Sequence, residues 1–200
     1  MDYRSIVRDT YNKVAKKYSE TRGAFQNDKE LAELVSLVRR DGTVLDLGCG
    51  SGIPVDRYLV DAGLDVIGID ISNAQLELAR VNVPQATFVL HDIAELKMGE
   101  YSVDAVVSFY AIFHVPRELQ PKLFKNINSF LPVGGPLLVT MATTDWEGVD
   151  EDFFGEQMYE SHYAPEQNRK MIESAGFTII RDDIDARNNE RHQIILAKKE

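Results

Sequence analysis

From Val44 the chain reads VLDLGCGSG, and a second apolar run, VIGID, ends on Asp70, 20 residues beyond Gly50. A strand, a glycine-rich turn, a helix and a strand closed by an acid form a layout suited to a nucleotide-like ligand. Glycines let the backbone approach the ligand, and the closing carboxylate can accept hydrogen bonds from both hydroxyls of a ribose. The turn departs from the dinucleotide pattern G-x-G-x-x-G, because Ile53 stands where the third glycine belongs and Gly52 comes one place early. Asp46 beside the turn narrows the ligand further. Two like charges about 4 Å apart cost on the order of 4 kcal/mol at an effective dielectric of 20. A carboxylate there repels a pyrophosphate and attracts a cation.

The rest of the chain fits an open α/β sheet. Tyr3 to Glu20 carries Ile6, Val14 and Tyr18 with Tyr3, Tyr11 and Ala15 at helical spacing. A turn-like TRGAF precedes a second helix with Leu31, Leu34, Val35 and Val38 on one face, ending at Asp41-Gly42. Then strand and helix alternate: VLDL, a helix from Val55 to Asp61, DVIGI, a helix from Ser72 to Val81, ATFVL, the short patch IAEL, VDAVVSF, a helix from Pro116 to Phe130, and PLLVT. Runs such as DAVVS and PLLVT are apolar at consecutive positions, as in strands covered on both faces, so a parallel sheet between two helical layers is expected. Residues 143 to 163 mix acids with aromatics, show no clean period and read as an insertion beyond a strand's carboxyl end. A helix from Pro165 to Ala175 precedes GFTIIRDDI and RHQIILAKK, whose DARNNER link is too short for a parallel crossover, so that pair is expected to be antiparallel.

Composition removes several function classes. A net charge of -10 with no cluster of Lys and Arg argues against nucleic acid. One cysteine, Cys49, suits a reducing compartment, the charged start MDYRSIVRDT lacks the apolar core of a leader, and no stretch is long and apolar enough for a membrane span. The expectation is a cytoplasmic protein without nucleic-acid or membrane partners. His91, His114, His162 and His192 lack ligand spacing, so no metal is expected.

The segments VLDLGCGSG (44–52), GIDIS (68–72), HDIAEL (91–96), VDAVVSFYAIFHV (103–115) and FLPVGGPLLVT (130–140), taken in order, resemble the class I S-adenosylmethionine-dependent methyltransferases of small-molecule type. The resemblance implies a three-layer α/β/α sandwich, Rossmann-like, whose mostly parallel sheet has seven strands in the order 3-2-1-4-5-7-6 with strand 7 antiparallel. It implies one domain over 1–200: a helical cap at 1–40, a cofactor-binding core at 41–142, a lid-like insertion at 143–164, and a C-terminal helix with the antiparallel pair at 165–200. It further implies methyl transfer from S-adenosyl-L-methionine to a small-molecule acceptor, with S-adenosyl-L-homocysteine as product, by a monomer or homodimer. Carried over residue by residue, Gly48, Cys49 and Gly50 face the methionine part and Asp46 its ammonium. Asp70 with Ile71 holds the ribose and Asp92 with Ile93 reads the adenine, while Tyr18, Gln75, His91 and Phe109 complete the cofactor wall.

His114 and Tyr110, after the fourth strand, are the candidate catalytic residues. A histidine's near-neutral pKa suits it to take a proton from an attacking oxygen or nitrogen. Against these readings stand plainer ones: Asp46 satisfying turn amides, Asp70 or Asp92 capping a helix, His114 packed at a strand-to-helix junction, Tyr11 and Tyr18 as core. Cys49 offers a backbone amide and no thiol chemistry. Trp146, Phe153, Phe154 and Tyr159 are expected to form a lid over the acceptor. With Asp145, Glu147, Asp150, Glu151 and Asp152 they point to an amine or other cation. The N-P-P-Y/F signature of amide and base amino methylation is replaced by SFYAIF. Two alternatives stay open: a cofactor-binding protein without turnover, and an NAD-dependent oxidoreductase.

Overall fold

The computed structural model describes residues 2–22, 27–186 and 191–200; most of the TRGAF turn and of the DARNNER link lies outside them. Among the described residues seven strands form one sheet in the order β3-β2-β1-β4-β5-β9-β8. They are β1 (Thr43–Leu47), β2 (Asp65–Asp70), β3 (Thr87–Leu90), β4 (Ala105–Ser108), β5 (Pro136–Ala142), β8 (Phe177–Asp185) and β9 (His192–Lys199). The first five run parallel, and β9 lies antiparallel to both β5 and β8. This is the expected order, with the numbers of the last pair raised by two inserted strands.

Alternation along β1 explains how the layers form. Leu45 and Leu47 enter one core with Val106 and Val139 of the sheet and with Leu123, Phe124 and Ile127 of α5 (Gln120–Phe130). Val44 enters the other, with Leu31 and Leu34 of α2 (Asp28–Leu37) and Val55 and Leu59 of α3 (Val55–Asp61). Asp46 therefore faces the side on which α3 packs, since strand side chains alternate with period two. Helices α4 (Asn73–Asn82) and α6 (Pro165–Ser174) complete the layers. Two helices are shorter than expected. The second stops at Leu37, because Val38 is already extended, and α5 starts at Gln120, after turns beginning at Pro116.

The insertion, to which the sequence reading assigned no secondary structure, is a hairpin of β6 (Trp146–Phe153) and β7 (Glu156–His162). It packs on α1 (Tyr3–Arg22), where Val7, Tyr11, Val14 and Tyr18 meet Met158 and Tyr159. Together they roof the carboxyl ends of β1 and β4, where the strand order reverses and open α/β sheets bind ligands. Among the described residues no helix is long and apolar enough to cross a membrane.

Candidate active site

The glycine turn is pinned before any ligand arrives. Gly48 and Cys49 both donate their N–H to the Ile69 carbonyl of β2, at 2.8 and 3.0 Å. Gly48 has φ +81 and a side chain there would overlap the Ala111 methyl, so the position requires glycine. Asp70 accepts from the Gly50 N–H at 2.9 Å through one oxygen and from the Ser72 N–H at 2.8 Å through the other, which ties the turn to the end of β2. Ser72, not Asp70, caps α4, with Oγ accepting from the Gln75 N–H.

Three connected cavities open above this turn. The inner cleft encloses about 600 Å³, counting space open to solvent, and is lined by Tyr18, Gly48, Gly50, Asp70, Ile71 and Gln75, and also by Asp92, Ile93 and Phe109. A deep pocket beside it is lined by Asp46, Cys49, Ser51 and Pro54. An outer cavity of about 700 Å³, counted in the same way, is walled by Phe113, Phe153, Glu160, Arg191 and His192. Tyr18 of α1 and Tyr110 after β4 line all three, while Tyr11 and His114 line the inner cleft and the outer cavity. Tyr110 holds φ +58, a strained value for a residue with a side chain, and its N–H donates to Thr140 Oγ1 at 2.6 Å.

Carboxylates dominate the electrostatics. Asp46, Asp56 and Asp70 are buried together. Burial, aided by the Asp70 charge and opposed by the neighbouring Asp56 carboxyl, pushes the Asp46 carboxyl up to about 7. Burial pushes Asp70 up to about 6, against the pull of its backbone hydrogen bonds. Asp56 is held well above the ordinary carboxylate range, first by burial and then by the Asp46 charge. Burial, with the neighbouring Asp56, Asp70 and Asp46 charges, also raises the Cys49 thiol well above its ordinary value. Asp46 Oδ1 and both amide atoms of Gln75 are buried without a hydrogen-bond partner among the described residues. Buried polar atoms in that state fit ligand atoms that would complete them.

Other predicted residues lie as follows. Asp92 caps the 3-10 turn Ile93–Glu95 by accepting from the Ala94 N–H, and its other oxygen meets Arg4 Nε of α1 at 2.9 Å. His91 is not among the residues lining the three cavities; its backbone N–H donates to the Asp70 carbonyl. Phe153 reaches the outer cavity, whereas Phe154 packs edge-on against Tyr18. Trp146 is 40% exposed and lies near His162, away from the cavities. Tyr159 acts through its backbone, and its hydroxyl donates to Glu147. The acids expected to attract a cation turn outward: Asp145 and Glu147 pair with Arg117, Glu151 accepts from Gln157, and Asp150 caps its own strand backbone.

His114 is bonded at both nitrogens. The Tyr159 carbonyl, 2.8 Å from Nδ1, can only accept, so Nδ1 carries the proton and neutral Nε2 accepts from the Tyr11 hydroxyl at 2.9 Å. Tyr11, Glu160, Arg191 and His192 are wall residues that the sequence reading did not place in the site. For Tyr11 a signal existed, since Tyr3, Val7, Tyr11, Val14 and Tyr18 form one helical stripe.

Comparison with known proteins agrees with this geometry. A family profile described as Methyltransferase domain matches residues 44–135. An uncharacterised methyltransferase of Oceanobacillus iheyensis is 26% identical over 158 residues, 79% of this chain and 66% of that protein. Trans-aconitate 2-methyltransferase of an Enterobacter species is 33% identical over 129 residues, covering 63% of this chain and 48% of that one. The chain thus spans less than two thirds of the length of these two relatives. The crystal structure of magnesium protoporphyrin IX methyltransferase from Synechocystis, with bound S-adenosylhomocysteine, superposes over 100% of both chains with a TM-score of 0.79 at 22% identity, a likeness of fold. The oxidoreductase alternative falls with these matches: residues 44–135 carry a methyltransferase domain, and the fold around them is shared with S-adenosylmethionine-dependent methyltransferases.

Proposed function

We propose that this protein methylates a small molecule seated in the outer cavity, with S-adenosylmethionine held in the inner cleft and deep pocket. When bound, that cofactor supplies an activated methyl group on a sulfonium. Asp46 would face its ammonium, Asp70 its ribose hydroxyls, and Ile71, Asp92 and Ile93 its adenine side, with Gln75 completing the wall and Gly48 and Gly50 giving close backbone approach. One observation carries the reading: Tyr18 and Tyr110 stand where all three cavities meet, so ligands in the cleft and in the outer cavity would face each other across these rings. Alignment and exclusion of water account for much of such a reaction, and the roof of α1 and hairpin provides both.

Tyr11 and His114 form the proton-accepting pair of this proposal. The acceptor's proton passes to the Tyr11 oxygen as the Tyr11 proton moves to His114 Nε2, leaving an imidazolium whose Nδ1–H remains on the Tyr159 carbonyl. Glu160 is close enough for the His114 charge to lower its pKa, so its carboxylate would stabilise that imidazolium in return.

Two measurements test this. Calorimetric titration with S-adenosylhomocysteine should show binding that Asp70→Ala weakens by about 1–3 kcal/mol through lost hydrogen bonds; unchanged affinity in a folded variant refutes the site. With an acceptor found by labelled-methyl screening, Tyr11→Phe and His114→Asn should each lower kcat by roughly 10²–10⁴-fold while homocysteine-product binding persists. Product binding without methyl consumption over a broad acceptor library would identify a sensor.

A further inference from the structure

The outer cavity has an inside and an outside end. Tyr11, Tyr18, Tyr110 and His114 are shared with the cofactor cleft, whereas Arg191, His192, Phe113 and Glu160 belong to the outer cavity alone. A methyl acceptor must place its nucleophile at the shared end, so whatever lies distal in it meets the second group. The walls between are flat: His192 stacks on Phe113 at 5.9 Å with 22° between planes, and its ring meets Tyr110 edge-on at 4.8 Å. Such walls suit a planar, conjugated body.

Charge at the distal end favours an anion. Glu160 lies 3.8 Å from His162, and the hydrogen bond with His162, the largest of the causes, holds its carboxyl below the usual range, so its charge already faces an imidazole. Arg191 forms no ion pair among the described residues, whereas Arg4, Arg39, Arg117, Arg169 and Arg181 each face a carboxylate. An unmatched guanidinium on a cavity wall, in a chain of net charge -10, offers a planar fork fitted to a carboxylate. We propose that the acceptor is a flat aromatic or conjugated acid whose carboxylate is bound by Arg191 at the outer end of the cavity, opposite the Tyr11–His114 end. This deepens the functional reading above and rests on the inner cleft being the cofactor site.

The test uses the full chain saturated with S-adenosylhomocysteine and three catechols that differ in side-chain charge: caffeate, caffeyl alcohol and dopamine. Calorimetry should show caffeate binding at least about tenfold tighter than the other two, the scale of one charge-assisted contact. Arg191→Gln should erase that preference and Arg191→Glu should turn it toward dopamine, with S-adenosylhomocysteine affinity kept in both variants. Failure of the unmodified protein to bind S-adenosylhomocysteine would overturn the cofactor site itself. Binding of that compound without caffeate binding, without preference among the catechols, or with a caffeate preference that survives Arg191→Glu overturns the acid acceptor alone.

Discussion

In the proposed function, Asp46 is the side chain that would turn a general nucleotide layout into a site for a cation. Strand alternation points it toward α3, where Asp56 waits, and burial removes the water that would otherwise dilute their repulsion. The raised values of about 7 for Asp46 and about 6 for Asp70 mean that the folded, ligand-free protein binds these protons more tightly than the unfolded chain does. The stability they contribute is therefore complete below the unfolded carboxylate value of about 3.9 and is lost as pH rises through about 6 to 7. An ammonium bound beside Asp46 reverses this, because it needs the charged form. S-adenosylmethionine affinity should accordingly rise from pH 5 to pH 8 with proton release, read by calorimetry in buffers of different ionisation enthalpy. Asp46→Asn should flatten the profile, and a pH-independent affinity in the unmodified protein would refute the account. Asp46 and Asp70 were legible because motif and charge sign coincide in a short stretch. Asp56 was not, since nothing in VDRYL marks it until α3 folds its first turn against β1.

Among the elements, α1 and the β6–β7 hairpin make the roof. Helix α1 is fastened over the site by Asn12, which accepts from Ser72 Oγ and the Ala74 N–H, by Ser19 against Ser51 at 2.8 Å, and by Thr10 donating to the Gln157 carbonyl. The hairpin closes through a two-residue turn, Phe154–Gly155, with both residues at positive φ, +57 and +90. That is the conformation a tight hairpin prefers. It escaped the sequence reading because a register shift between Asp150 and Phe153 breaks the alternation that betrays a strand. Gly155→Val forces a branched side chain into left-handed backbone, a cost of roughly 1–2 kcal/mol. Amide exchange in β6, β7 and α1 should quicken while β1 and β4 stay protected; an unchanged hairpin would show that the turn does not hold the roof. His91 and Trp146 were assigned to the site from their position along the chain. They miss it because a strand end and a hairpin each have two faces, and position along the chain does not say which one looks inward.

For the whole molecule, ligand binding and folding are linked, since the cavities assemble from α1, the turn after β1, the segment after β4, the hairpin and β9. A ligand that binds only this assembly at a hundred times its dissociation constant adds about 2.7 kcal/mol, which for a chain of this size raises the melting temperature by roughly 5–10 °C. S-adenosylhomocysteine should produce that shift, larger at pH 8 than at pH 6, and differential scanning fluorimetry reads it; a shift that shrinks with rising pH would contradict the carboxylate argument. The strands and helices, the antiparallel last pair, the glycine turn and its acids were written locally, in apolar runs, spacing and link length, because each depends on neighbours within a few tens of residues, whereas the strand order came from the family resemblance. The Tyr11–His114 bond spans 103 positions, and the outer cavity joins α1 to β9. Such pairings carry no local pattern; only the packing of a roof over the end of a sheet decides which tyrosine, which histidine and which arginine come to share one space.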